Sequence, residues 1–250
     1  MIAKSLPNLF TIANLFLGIL SIIFVFNGLP DYAAILVIVA MLTDGLDGRV
    51  ARALNVQSDF GKELDSLSDV ISFGVAPAFI VYSVAFQDLN EAAAWIVTAL
   101  FPICGALRLA RFNVVASTPG YFVGLPIPAA GGVLCTLALF HASLSPYILI
   151  ASTVLLSLLM VSNIKYPSFK KVAIPRSMLW IAPLLVILAV GLAILYPGQL
   201  SKLIFIPLVL YALYGLKKNV NVIVRRLARR HRRQIEAAQY QEEQPAQSEG

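Results

Sequence analysis

The sequence predicts an all-α fold: a polytopic integral membrane helical bundle. Three observations lead there. Of its 250 residues, 59% are hydrophobic and 13% charged, and the mean hydropathy of +0.82 lies far above that of an ordinary soluble domain. Apolar stretches long enough to cross a bilayer recur along most of the chain. Basic residues gather on alternate connections between those stretches.

A membrane helix needs about twenty mostly apolar residues. Eight stretches qualify: 9–28, 32–50, 66–87, 92–110, 125–145, 147–164, 178–196 and 199–216. The first follows Leu6-Pro7-Asn8, with Pro7 suited to a helix start. It superficially resembles a signal peptide, but no small-residue cleavage site comes before Asn27, so it is read as retained. The second ends in an aspartate-rich run. The fifth opens on GLPIPAAGG, whose Pro126 and Pro128 break regular helix and leave backbone groups that need partners, as a pocket wall or as a plain helix start. A short link around Ser145 and Pro146 separates the fifth from the sixth. Six spans, with one pair misread, would leave the termini on the same side as eight do.

Orientation follows from lysine and arginine. With the N-terminus inside, 18 of the 19 basic residues fall on the inner side, Lys202 being the exception, while Asp31, Asp88 and Glu91 fall outside. In a prokaryotic cell this is the inner (cytoplasmic) membrane, with both termini and every polar cluster of interest cytoplasmic. The transmembrane domain covers 1–216. Residues 217–235 form a basic helix that spaces Val220, Ile223, Val224 and Leu227 against an arginine face and suits the anionic lipid of the inner leaflet. Residues 236–250 read as a disordered tail. The net charge of +6 is thereby assigned to lipid, and no nucleic acid is expected. Cys104 and Cys135 lie in apolar runs and read as small buried side chains.

Residues 41–69, MLTDGLDGRVARALNVQSDFGKELDSLSD, carry the chemistry. On a helix, Asp44, Asp47, Gly48 and Ala51 share one face, and Gly61, Asp65 and Asp69 share one face of the next. The intervening segment can turn the chain, and Gly48, Ala51 and Gly61 let the backbones and a bulky phosphate come close. Acidic residues at a span end can simply face water, or form an ion path. Four converging carboxylates, however, repel one another unless positive charge lies between them. Oxygen-only ligation points to Mg²⁺ or Mn²⁺, and a pair of such ions suits phosphoryl chemistry. Arg52 stands where it could meet phosphate or nucleotide.

Asp44, Asp47, Gly48, Ala51, Arg52, Gly61, Asp65 and Asp69 match the signature DxxDGxxARx₈GxxxDxxxD, so the chain resembles the CDP-alcohol phosphatidyltransferase family. The resemblance implies a six-helix core, a homodimer, and an enzyme that displaces CMP from a CDP-linked lipid with a small alcohol and divalent metal. It implies that Asp44, Asp47 and Asp65 are metal ligands, that Asp69 is the general base and may touch metal, and that Gly48, Ala51, Arg52 and Gly61 shape the CDP pocket. LPNLFTIANLFLGI, ALRLARFNV, FVGLPIPAAGG and LMVSNIKYPSFK are similar to the membrane-embedded phosphatidylserine synthases of that family, over residues 6–171.

Within these stretches Asn8 and Thr11, with Asn14 beyond them, are read as near the nucleotide by resemblance, or as cap and interhelix hydrogen bonds. Arg108 and Arg111 are span-end arginines that serve as snorkelling anchors or as contacts to substrate carboxylate or phosphate. Asn163, Lys165, Ser168 and Lys170 form a polar exit that anchors the span or, at Lys165 and Lys170, meets an anion.

The expected reaction transfers the phosphatidyl group of CDP-diacylglycerol to serine, with Asp69 taking the hydroxyl proton as the new bond forms. One rival keeps the chemistry with glycerol phosphate or inositol phosphate as acceptor. The other is a cation- or proton-coupled transporter, which predicts acidic residues through the membrane depth; here they are confined to one edge.

Overall fold

The computed structural model describes residues 2–53, 58–87, 89–114 and 121–167, with side chains 2–7, 42, 46–53, 121 and 167 left aside. The seventh and eighth expected spans, the basic helix, the tail and Lys170 lie outside the described residues.

Six helical segments fall on the first six expected spans. Helix α1 (Ile2–Phe26) and α2 (Pro30–Ala53) form an antiparallel pair. Between them Gly28, at φ 73°, takes the left-handed conformation, while the Leu29 and Gly28 amides donate to Phe24 and Val25 carbonyls. This closes α1 in the way a C-terminal glycine does. The third pass is continuous from α3 (Asp59–Asp69) through a π-helical turn at Val70–Val75, α4 (Ala76–Val81) and a second π-helical turn at Tyr82–Phe86. Helix α5 (Glu91–Val114), α6 (Ile127–Leu139) and α7 (Pro146–Val161) follow.

Among the described residues three helical stretches are long and apolar enough to cross a membrane: Asn8–Phe26, Asp59–Phe86 and Glu91–Val114. The expected fifth span over 125–145 is a shorter helix. It is broken at Phe140, where the backbone turns out of the helix and residues His141–Ser143 form a 3₁₀ turn. Helix α1 also begins at Ile2, ahead of Pro7.

The all-α expectation needs one amendment. Strands β1 (Tyr121–Val123) and β2 (Lys165–Pro167) pair antiparallel, Phe122 opposite Tyr166. Gly124 ends β1 at φ 79°, and a β-carbon there would collide with the Met160 carbonyl. The glycine thus lets the chain turn tightly into α6, while its amide donates to Ile164.

The core is inverted relative to a soluble protein on α1. Leu9, Ile12, Phe16, Ile19, Ile23 and Phe26 are exposed along one face, whereas Thr11, Asn14, Gly18 and Ser21 are buried on the other. Large apolar side chains outward and small or polar ones between helices is the arrangement that lipid solvent favours. Ser21 Oγ donates to the Ala33 carbonyl at 2.9 Å and ties α1 to α2. A β-carbon at Gly18 would overlap Ser72, so the π-helical turn can pack directly on α1. Cys104 and Cys135 are buried and unbridged. With its apolar helices and lipid-suited surface, this is an integral membrane protein.

Candidate active site

Asp44 projects from the second half of α2, and Asp65 and Asp69 from the last turns of α3. Carboxylate oxygens of these three lie within 4.8 Å of one another, Asp44 and Asp65 half-buried and Asp69 buried. Asp47, Gly48, Ala51 and Arg52 continue along α2, where their backbone positions are helical. The donor set fits a hard divalent cation: converging carboxylate oxygens from two helices.

Local chemistry explains how α3 is aimed. Ser58 caps it, its Oγ accepting from the Gly61 amide at 3.0 Å. About two turns beyond Gly61, Ser68 Oγ donates to the Thr11 carbonyl at 3.2 Å, and Ser72 Oγ to the Asn14 carbonyl at 2.9 Å. Asp65, Ser68, Asp69 and Ser72 therefore form one stripe, serines against α1 and carboxylates beside them towards Asp44. Asn8 stands over Gly61, its Oδ1 3.1 Å from where a β-carbon at residue 61 would be. Thr11 is buried one turn further along α1. The structure thus brings Asn8, Thr11 and Gly61 to the α1–α3 crossing beside the carboxylates.

The C-terminal end of α5 arrives at the same place. Asn113 Nδ2 donates to Ser66 Oγ at 3.1 Å and to Glu63 at 3.4 Å, joining α5 to the outer face of α3. Arg108 is only 5% exposed, with its guanidinium carbon 5.9 Å from the Phe112 ring centroid, so it does not snorkel to water as a span-end anchor would. Arg111 donates to the carbonyls of Val161 at 3.0 Å, Ser162 at 3.1 Å and Val123 at 3.3 Å, and to Asn163 Oδ1 at 3.3 Å. Its guanidinium clamps the end of α7 and the start of the ribbon, and a substrate contact there would require those bonds to be given up. Lys165 is exposed on β2.

Sequence reasoning passed over Ser58, Ser68, Ser72, Glu63 and Asn113. Helical spacing offered a signal for two of them, since Ser68 and Ser72 fall three residues after Asp65 and Asp69.

The sequence profile of the CDP-alcohol phosphatidyltransferase family matches residues 4–162. A CDP-diacylglycerol–serine O-phosphatidyltransferase of Helicobacter pylori (strain ATCC 700392 / 26695) is 42% identical over 219 residues, 84% of this chain and 89% of that one. The protein of the same description from Bacillus subtilis (strain 168) is 42% identical over 167 residues, 66% of this chain and 92% of its own. An archaetidylserine synthase of Methanothermobacter thermautotrophicus is 44% identical over 171 residues, 65% of this chain and 70% of its own. With a profile match over more than half its length and the converging aspartates of the signature in place, the chain belongs to the CDP-alcohol phosphatidyltransferase family.

Proposed function

We propose that the protein transfers the phosphatidyl group of CDP-diacylglycerol to the hydroxyl of L-serine, releasing CMP and forming phosphatidylserine. The observation that carries this reading is the convergence of Asp44, Asp65 and Asp69 at one end of an apolar bundle of this family. Relatives named for serine transfer supply the acceptor.

In this mechanism Asp44, Asp47, Asp65 and Asp69 would hold Mg²⁺ or Mn²⁺, as two ions, and the metal would supply charge neutralisation for phosphoryl oxygens. Asn8, Thr11, Gly48, Ala51, Arg52 and Gly61 receive the nucleotide. Arg108, Lys165 and Lys170 are the proposed anion contacts, while Arg111 acts by fixing the ribbon and the end of α7. Asp69 accepts the serine hydroxyl proton as that oxygen bonds to the phosphatidyl phosphorus and the bond from phosphorus to the CMP oxygen breaks. A carboxylate is a weak base for an alcohol, so proton transfer accompanies bond formation rather than preceding it.

The transmembrane catalytic domain, 1–216, lies in a cytoplasmic membrane as a homodimer, with the active site and both termini on the cytoplasmic side. The distribution of basic residues supports this orientation.

The test is incorporation of labelled serine into extracted lipid by purified protein, with ester-linked and archaeal ether-linked CDP-lipids offered separately. Labelled phosphatidylserine from the ester substrate is expected. Lipid product formed only from glycerol 3-phosphate or inositol phosphate would replace serine as acceptor. Product from the ether lipid alone would reassign the lipid half to that of the Methanothermobacter relative.

A further inference from the structure

Most buried hydroxyls in the bundle are satisfied in the same simple way: those of Ser21, Ser68, Ser72, Thr136, Thr153 and Ser157 each donate to a backbone carbonyl. Asn14 is different. Its side chain is 0% exposed, and neither Nδ2 nor Oδ1 has a hydrogen-bond partner among the described residues. Only its backbone carbonyl is engaged, by Ser72. Leaving a buried amide unsatisfied at both ends is costly, and a leucine would fill a helix interface in lipid without that cost. The amide therefore requires a partner that is not part of the described chain.

Its place in the bundle says which. Ser68 meets Thr11, and Ser72 meets Asn14 one turn further on, so Asn14 lies one turn deeper than the level of Asp69. Ser21 meets Ala33 across the antiparallel pair. Counting back equally along α1 and α2 from that contact sets Asn14 level with Ala40, roughly 5–6 Å deeper than Asp44. Asn14 thus stands beneath the carboxylates, on the side away from Asn8 and Gly61. With the nucleotide at Asn8 and Gly61, displacement in line with the departing CMP brings the acceptor from the opposite side.

We infer that Asn14 recognises the α-amino and α-carboxylate groups of the acceptor amino acid, and so acts as a residue that determines acceptor specificity. This rests on the serine-transfer reading. The amide is matched to such a ligand: Oδ1 accepts from an ammonium, and Nδ2 donates to a carboxylate. Phosphates offer acceptors only, and acyl chains offer neither. The side chain has no surface open to solvent, so the proposed contact requires it to turn towards the carboxylates one turn above it.

The experiment is steady-state CMP release by full-length Asn14→Leu, varying serine and CDP-diacylglycerol separately, with the thermal midpoint measured alongside. The expected result is a KM for serine raised about tenfold or more by loss of the paired amide contacts. The KM for CDP-diacylglycerol should stay within about twofold, and the thermal midpoint should be unchanged or higher. An unchanged serine KM overturns the inference in favour of a trapped water, and a parallel rise in the CDP-diacylglycerol KM overturns it in favour of a nucleobase contact. If the leucine variant does not fold, Asn14→Asp decides. It keeps an ammonium acceptor but repels the carboxylate, so use of ethanolamine relative to serine should rise about tenfold, and an unchanged ratio refutes the assignment. Wild-type protein with no serine-dependent CMP release would instead strike at the function itself.

Discussion

Asn8 and Gly61 meet across the α1–α3 crossing, with Asn8 Oδ1 3.1 Å from the point a β-carbon on residue 61 would occupy. The glycine of the signature is thus a matter of space between two helices beside the carboxylates. Adding a methyl group makes Asn8 give way at the proposed nucleotide site. Gly61→Ala should fold normally and lose about ten- to a hundredfold in kcat/KM for CDP-diacylglycerol, in line with the sensitivity of positioned reactants to sub-ångström displacement. Kinetics with varied lipid substrate, alongside a thermal melt, check this.

Ser68 links the helix of the proposed base to α1 through the Thr11 carbonyl. Ser68→Ala should lower stability by about 0.5–1.5 kcal/mol, the usual net worth of one buried hydrogen bond. It should also lower kcat more than either KM, because Asp69 is the next residue. Ser157→Ala, which removes a comparable hydroxyl bond to Thr153 away from the site, should move stability similarly and leave kcat alone. Thermal melts and steady-state kinetics on the pair separate the two effects.

Arg111 holds four acceptors on α7, its exit and β1. Lysine cannot reproduce that fork, so Arg111→Lys should behave as a folding variant. Its thermal midpoint should fall by several degrees, and the KM values of the remaining folded protein should stay near wild type. Gly124→Ala, on the ribbon it clamps, should cost about 1–3 kcal/mol through its left-handed backbone and the crowded Met160 carbonyl.

The carboxylate cluster predicts a strict divalent-metal requirement. Chelation should abolish CMP release, and Mg²⁺ or Mn²⁺ should restore it. Asp65→Asn, which removes a charge from the cluster, should raise the metal concentration needed for half-maximal activity by about tenfold or more. Metal titration of both proteins checks the shift.

What the sequence made legible was periodic and local. Asp44, Asp65 and Asp69 could be brought together from four-residue spacing and one intervening turn, because helix geometry fixes which residues share a face. The apolar runs located six helical segments, three of them long and apolar enough to cross a membrane, because lipid demands length and composition together. The β1–β2 ribbon escaped because its strands are three residues long, and their pairing depends on the Arg111 clamp and a contact between distant segments. Asn14 escaped as an acceptor residue because an asparagine in an apolar run looks the same whether its amide is satisfied or not. Only its buried amide without a partner among the described residues, and its depth level with Ala40, single it out.

The most direct measurement is CMP release by purified protein in CDP-diacylglycerol micelles with Mg²⁺ or Mn²⁺, offering serine, glycerol 3-phosphate or no acceptor, with Asp69→Asn beside the wild type. The account predicts release that depends on both serine and metal and falls at least about a hundredfold in the variant, the range expected for a lost general base. Serine-independent release, or undiminished turnover by a folded Asp69→Asn protein, would contradict it.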